Sequence, residues 1–161
     1  MKVLRILGIA LGAPVLLVAL VAFGARFSDG PVAIFPGGAF ESGEWVEDPK
    51  ADLSFAADID EIELQSGSPP TSRTVWVLVE GGQAYVPCSL TFPPGKSWHH
   101  AALDDPQAVV RIEGKRYRRL LRKVEDEALH AKLRAAVAEK YGGLPNDDPS
   151  AVWFFHLAPV S

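Results

Sequence analysis

The sequence contains one cysteine, Cys88, and this scarcity excludes two classes of small protein. A single thiol cannot form an internal disulfide framework, and it cannot supply the several sulfur ligands of a Cys-rich zinc site. Positive charge is also scarce, because 16 Lys and Arg residues stand against 20 Asp and Glu residues, for a formal net charge of -4. We therefore predict no nucleic-acid partner. The sequence also lacks a P-loop and a Gly-x-Ser-x-Gly nucleophile elbow.

Apolar residues are plentiful, at 48% of 161 residues, so a wholly disordered chain is excluded. The length suits one domain with a short appendage. We predict three segments. Residues 1–26 form an N-terminal signal anchor or transmembrane helix, residues 27–57 form an acidic linker rich in proline and glycine that packs on the domain, and residues 58–161 form the folded domain.

Residues 6–24 contain no charged side chain and are almost entirely Leu, Val, Ala, Ile and Gly. As a helix this segment would reach roughly 28 Å, close to the thickness of a bilayer core. Lys2 and Arg5 precede it, which favours a cytoplasmic N-terminus with the domain on the external, periplasmic side. We predict an uncleaved single-pass anchor in the cell membrane. The alternative is a signal peptide cleaved near Ala22-Phe23-Gly24, which would give a secreted protein.

Charge is distributed unevenly along the chain. Residues 28–70 hold ten acidic residues and one basic residue, whereas residues 111–123 hold seven basic residues and one acidic residue. The basic run places charge on both faces of a strand, which predicts an edge strand or a solvated barrel rim. We expect it to pair with the acidic segment within the molecule. Contact with anionic lipid headgroups is the alternative.

Short β-forming runs separated by turn residues predict a mostly antiparallel sheet. Residues 73–79 are predicted as one strand, with Gly81-Gly82 closing a hairpin onto residues 84–88. A second hairpin is predicted over residues 108–124, and a last strand over residues 152–158. Ser97 is predicted to cap a short helix, and Asp126 a longer one that ends at Gly142-Gly143. Together these elements predict an α+β fold with a small antiparallel barrel and flanking helices.

Several short motifs occur in a familiar order: the Gly-Gly hairpin, "YVP", a Lys-Ser-Trp helix start, "LDDPxxVVRI", "EGKRY" and a closing amphipathic helix. In this order the sequence resembles the pyridoxamine 5'-phosphate oxidase-like split β-barrels, especially their small flavin-binding, deazaflavin-binding and uncharacterised branches. The similarity runs from about residue 58 to residue 141, with "VWFFHLAP" as a final strand. It implies a split β-barrel, commonly a homodimer, that binds FMN or a deazaflavin in a redox role.

The resemblance also implies where a cofactor would lie. Its phosphate would be held by basic and hydroxyl residues on a strand, after the next strand and at the following helix start, namely Arg73, Thr74, Ser89, Lys96 and Ser97. Trp76 and Trp98 would flank the ring. Each residue also has an ordinary structural interpretation: a solvated charge, a core tryptophan or a helix cap. The resemblance identifies no catalytic residue, so a flavin- or deazaflavin-dependent oxidoreductase remains one hypothesis.

Other interpretations stay open. Haem is a weaker cofactor hypothesis, with four histidines as candidate iron ligands: His99, His100, His130 and His156. No metal site is predicted, because adjacent helical residues such as His99 and His100 cannot both face one ion. A polar helix surface is the simpler interpretation of the pair, and a role at the mouth of a ligand pocket is the alternative. Cys88 is interpreted as a small core residue. The competing functional hypothesis is a non-catalytic envelope protein that binds no cofactor and uses its barrel for protein or lipid contact.

Overall fold

The computed structural model describes residues 2–143 and 148–160, with side chains described from residue 13 onward. Within these residues the structure has three helices: α1 (Lys2–Ala25), α2 (Trp98–Asp104) and α3 (Glu127–Tyr141). Two short 3-10 helices span Ser54–Asp58 and Pro149–Ala151. The strands are β1 (Glu44–Trp45), β2 (Glu61–Ser66), β3 (Thr71–Trp76), β4 (Leu78–Glu80), β5 (Gln83–Ser89), β6 (Gln107–Ile112), β7 (Lys115–Lys123) and β8 (Val152–Pro159).

All eight strands belong to one sheet, in the order β3-β2-β6-β7-β8-β5-β4, with β1 added in parallel to β7. Every other pairing is antiparallel. Although β3 and β5 are far apart in this order, they contact each other, so the sheet curls into a half-barrel. The predicted α+β class with an antiparallel barrel is confirmed.

Two apolar clusters lie on opposite faces of the curled sheet. The inner cluster fills the half-barrel, and the alternation of buried residues in β2 (Ile62, Leu64) shows how a period of two points one face inward. The outer cluster lies between the sheet and α3, through Leu133, Val137 and Phe154. The two clusters place β5 and β8 at the centre of the fold, because each strand contributes side chains to both.

The ends of α3 follow the sequence signals. The Asp126 carboxylate accepts a hydrogen bond from the backbone N–H of Leu129 at 2.7 Å, which satisfies a free donor of the first turn. Gly142 ends the helix with φ of 75°, a left-handed conformation that glycine adopts without steric cost. Both predicted caps are confirmed.

The prediction of a single strand over residues 73–79 is wrong. β3 ends at Trp76 and pairs with β2, whereas β4 begins at Leu78 and pairs with β5. Val77, which is fully buried, is the one residue between them. Its β-branched neighbours favour an extended chain, but closing the half-barrel requires the chain to leave one end of the sheet and join the other. The predicted hairpin from β4 to β5 is confirmed.

The prediction of β7 as an edge strand is also wrong. β7 pairs with β6 along its first half, with β8 along its second half, and with β1 at its start. Within it, Arg119 is only 2% exposed, and its guanidinium donates to the backbone carbonyls of Pro49 and Ala51. The strand is therefore internal, and the Arg119 side chain contacts residues 49–51 instead of facing solvent.

Pairing between the acidic segment and the basic strands is confirmed. Arg111 forms ion pairs with Asp29 at 2.8 Å and with Glu63, and Arg118 approaches Glu47 at 3.5 Å. Around these contacts, Phe40 packs against the Arg111 guanidinium, whose centre lies 4.3 Å from the ring. Through these contacts Asp29, Phe40 and Glu47 lie against β6 and β7.

The predicted anchor coincides with α1. Its described side chains, from residue 13 onward, are apolar and mostly exposed. Among residues 13–143 and 148–160, no helix has the length and hydropathy needed to cross a membrane. Residues 1–12, which include residues 6–12 of the predicted span, lie outside the described side chains. The anchor and its cell-membrane location stay predictions.

Candidate functional site

Three of the residues implied by the resemblance lie close together: Arg73 and Lys96 are both near Cys88, and Trp98 lies next to Arg73. Arg73 is opposite Leu64 in the β2–β3 register, and paired residues share a face, so it lies on the inner side of the sheet. Its Nη1 donates to Ser66 Oγ at 2.8 Å, and its guanidinium lies over the Trp98 ring at 5.1 Å. We call Arg73, Cys88, Lys96 and Trp98 the mouth cluster, because they lie where α2 packs on the barrel.

Burial sets the electrostatics of the mouth cluster. It lowers the pKa of the Arg73 guanidinium to about 10 and lowers the pKa of the Lys96 ammonium, because each charged form loses water. Cys88 partly opposes both changes in its negatively charged thiolate form. Burial also raises the pKa of Cys88 to about 11, so its thiol is protonated near neutral pH. The interpretation of Cys88 as a buried core residue is confirmed.

Neither cation of the mouth cluster forms an ion pair with an Asp or Glu among the described residues. Lys96 Nζ instead donates to the backbone carbonyl of Phe92 at 2.5 Å. Two partly desolvated positive charges without a carboxylate favour an incoming anion, because the anion would offset the cost of their burial. This electrostatic imbalance makes the mouth cluster the candidate binding site.

No protein-family model matches the chain, and no curated protein matches it. Solved structures do match. A candidate pyridoxamine 5'-phosphate oxidase from Listeria innocua is 17% identical with a TM-score of 0.51, over 68% of this chain and 90% of that one. A conserved hypothetical protein from Mycobacterium tuberculosis is 13% identical with a TM-score of 0.52, over 73% of this chain and 86% of that one.

The chain has the pyridoxamine 5'-phosphate oxidase-like split β-barrel fold. The resemblance stated from the sequence is thus confirmed as a fold. Identities this low carry no information about ligand or reaction, so the chemistry of this split barrel must be argued from its own residues.

Three other residues implied by the resemblance do not belong to the mouth cluster: Thr74, Trp76 and Ser97. Thr74 is exposed and lies on the opposite face of β3 from Arg73. Trp76 stacks on Tyr141 of α3, with ring centroids 4.3 Å apart and planes 3° apart, so it packs in the outer cluster and does not flank a ring with Trp98. Ser97 is exposed and makes no capping bond through its side chain, so the predicted cap is wrong.

Ser89 lies outside the mouth cluster but contacts the loop that leads to Lys96. Its Oγ accepts a hydrogen bond from the backbone N–H of Phe92 at 3.1 Å and lies 3.3 Å from Thr91 Oγ1. These contacts shape the loop whose Phe92 carbonyl receives the Lys96 ammonium. Ser89 therefore orients the segment that carries Lys96.

Sequence reasoning missed the burial of His99. His99 is 3% exposed, whereas its neighbour His100 is exposed, so the interpretation of both as a polar helix surface is wrong for His99. The available signal was spacing, because His99 and Ala102 are three residues apart and lie on the face of α2 that packs inward. Trp153 of β8 was missed as well; its ring centroid lies 5.4 Å from that of His99.

The remaining histidines make ordinary structural contacts. His130 Nε2 lies 3.1 Å from the Val152 carbonyl, and His156 Nε2 lies 3.0 Å from Gln83 Oε1. Across the described part of the chain, no three His, Cys, Asp or Glu side chains are grouped so as to hold a metal ion.

A groove of about 610 Å³ lies beside the end of β2, the start of β6 and the middle of β7. Its lining includes Gln65, Ser66, Gln107 and Arg118. Ser66, which accepts the hydrogen bond from Arg73, connects this groove to the mouth cluster. The groove thus offers polar surface next to the candidate site of the split barrel.

Proposed function

We propose that this protein binds a phosphorylated flavin or deazaflavin, with the phosphate held by Arg73 and Lys96. The observation that carries the proposal is the pair of partly desolvated cations that have no carboxylate partner among the described residues. Bonds from such cations to phosphate are charge-assisted and stronger than neutral hydrogen bonds. The choice of a flavin or deazaflavin as the phosphate-bearing ligand comes from the family resemblance stated from the sequence.

Aromatic side chains beside the cations suit the ring of such a ligand. Trp98 lies 5.5 Å from Phe155, and Trp153 lies 6.4 Å from Phe155, measured between ring centroids. Phe155 is fully buried, so the half-buried Trp98 and Trp153 would form the apolar surface on which a planar conjugated ring could stack. Trp76 is not part of this surface, so the proposal uses Trp98 without it.

A redox role follows if the flavin is bound. The cofactor would supply electron or hydride transfer, while the protein would fix its position and electrostatics. Arg73 and Lys96 would neutralise and orient the phosphate, and Trp98 and Trp153 would exclude water from one side of the ring. The Cys88 thiol, protonated near neutral pH, would serve as packing and not as a nucleophile. The homodimer implied by the resemblance is proposed as its assembly.

Replacing Lys96 with methionine tests the proposed phosphate site. The wild-type protein is expected to bind FMN more tightly than riboflavin, which lacks the phosphate, as measured by calorimetric titration. Lys96→Met is expected to weaken FMN binding by about tenfold to a hundredfold, since a hydrogen bond to a charged group contributes roughly 1.5–3 kcal/mol. Riboflavin binding should change little.

Lys115→Met is the matched control, because Lys115 is exposed on β7 and lies outside the mouth cluster. It should bind FMN as the wild type does. Equal affinity of the wild type for FMN and riboflavin would contradict the proposal, as would unchanged FMN binding by Lys96→Met. Parallel titrations with a deazaflavin and with haem identify the ring. Uptake of haem alone would contradict the flavin assignment.

A second candidate function is a non-catalytic envelope protein that contacts lipid, and one observation favours it. Beyond the exposed apolar side chains of α1, Phe27 is 78% exposed and Ile34 is 89% exposed. Apolar surface of this extent next to an apolar helix is typical of contact with a membrane or a partner. The proposed location is the cell membrane, with the barrel outside.

Flotation with phosphatidylcholine vesicles tests this second candidate. The full chain is expected to float with the vesicles and to stay with them in high salt, because apolar contact is not screened by ions. Phe92→Ser, which removes an exposed phenylalanine from the loop before Lys96, should float like the wild type. Recovery of the wild-type chain only in the vesicle-free fraction would contradict lipid contact.

A further inference from the structure

His99 has a buried polar atom with no partner. Its Nδ1 makes no hydrogen bond within residues 13–143 and 148–160, although the side chain is almost fully buried. The ring is held on three sides, by His100 at 4.2 Å, Trp153 at 5.4 Å and Trp98 at 6.1 Å between centroids. Buried polar atoms in folded proteins are nearly always paired, so this one calls for a physical explanation.

The contacts of His99 place it beside the mouth cluster. Trp98, which it touches, also stacks on the Arg73 guanidinium. Trp153, which it also touches, pairs with Cys88 in the register of β5 and β8. The pKa of His99 is lowered mainly by burial and further by the charges of His100 and Lys96. The His99 ring is therefore in contact with Trp98 of the mouth cluster, and Lys96, which the proposed phosphate would neutralise, is only three residues before it in the sequence.

We infer that His99 is a third phosphate-contacting residue of this site, donating a hydrogen bond from Nδ1–H to a phosphate oxygen of the bound ligand. The inference rests on the proposed function and adds a residue that neither the sequence nor the fold assigns to it. A neutral imidazole offers one donor and one acceptor, and a phosphate oxygen would satisfy the donor that the protein leaves unpaired. Arg73, Lys96 and His99 would then approach the phosphate from β3, the loop before α2 and α2 itself.

Two substitutions at His99 separate this role from packing. His99→Leu removes the donor and keeps an apolar side chain, whereas His99→Asn keeps a side-chain N–H close to the position of Nδ1. The expected result is that His99→Leu binds FMN about tenfold more weakly, while His99→Asn stays within about threefold of the wild type. Riboflavin affinity should be equal in all three proteins. His100→Asn, at the exposed neighbour, should match the wild type.

The ratio of FMN affinity to riboflavin affinity is the deciding quantity, because a purely structural defect would lower both together. Thermal unfolding of each protein without ligand checks that the variants fold. If His99→Leu does not fold, His99→Phe replaces it, since a phenyl ring keeps the contacts with Trp98 and Trp153. An unchanged ratio in the donor-free variant overturns the role of His99 and leaves the proposed function standing. A wild-type protein that does not prefer FMN overturns both.

Discussion

Replacing Gly37 with alanine is expected to destabilise the protein by about 3 kcal/mol or more, because the new methyl group would have no room. A Cβ at Gly37 would overlap the backbone carbonyl of Gly30 and lie 2.7 Å from the nitrogen of Pro31. All three nearest atoms belong to the backbone, so no flexible side chain can move aside. The strain must therefore be relieved by shifting the chain itself.

The backbone at Gly37 is also fixed from its other side. Its N–H donates to the Ser72 carbonyl at 2.9 Å, and its carbonyl accepts from the Ser72 N–H at 3.1 Å. Ser72 lies in β3 and is fully buried. Moving Gly37 away from Gly30 would break these two hydrogen bonds at the end of the sheet. The alanine variant must either keep the overlap or lose the attachment of residues 28–40 to β3.

Urea unfolding followed by tryptophan fluorescence measures this loss. Gly24→Ala is the matched control, because a Cβ at Gly24 meets nothing within 4 Å and lies in α1, where alanine favours the helix. Its midpoint should equal or slightly exceed that of the wild type. A Gly37→Ala midpoint indistinguishable from the control would show that the close approach of Gly30 and Gly37 is not part of the stable fold.

Replacing Arg111 with alanine is the second large effect, with an expected loss of about 3 kcal/mol. The Arg111 side chain is 11% exposed, and it joins Glu63 of β2, Asp29 and the carbonyl of Ser42. The guanidinium also covers the Phe40 ring. Truncation would leave two carboxylates without their cation and would uncover an aromatic ring, so charge and packing are lost together.

The control for this prediction is Arg118→Ala. Arg118 and Glu47 are 49% and 80% exposed at their side chains and are 3.5 Å apart, so the ion pair is screened by water. Its removal should cost less than about 1 kcal/mol. Equal losses in the two variants would contradict the assignment of Arg111 as the central attachment of the N-terminal segment.

The pH dependence of the free energy of unfolding provides a second measurement on the contact between Arg111 and Asp29. The pKa of Asp29 is lowered first by the hydrogen bond from Ser42 and further by Arg111 and by backbone N–H groups, against an opposing effect of burial. A lowered folded-state pKa contributes stability that is present above the unfolded pKa, near 3.9, and is lost as the pH falls through the folded value. The difference between the wild type and Arg111→Ala should therefore shrink below about pH 4.

The sequence predicted the regular elements where local chemistry decides them. Alternation at Ile62 and Leu64 predicts β2, and the side chains of Asp126 and Gly142 mark the two ends of α3. The break at Val77 was not predictable in this way, since nothing local distinguishes it from its strand-forming neighbours. The break arises because the curled sheet must be closed, which depends on strands that are distant in the sequence.

The candidate site was predicted in part for a similar reason. Arg73, Lys96 and Trp98 lie together, as the resemblance implied. Strand alternation alone would have separated Thr74 and Trp76 from Arg73, because residues at odd spacing in β3 face opposite sides. The burial of His99 could not be deduced from composition, since it depends on which face of α2 meets Trp153.

The single residue between β3 and β4 also determines the width of the candidate site. Arg73 lies before Val77 on β3, the strand at one end of the sheet. Cys88 lies after Val77 on β5, which is next to β4 at the other end of the sheet. Only the buried Val77 separates β3 from β4, so β3 and β5 cannot move apart unless Val77 leaves the core. Val77 therefore fixes the distance between β3 and β5, so the width of the candidate site is determined by the backbone and not by the side chains that line it.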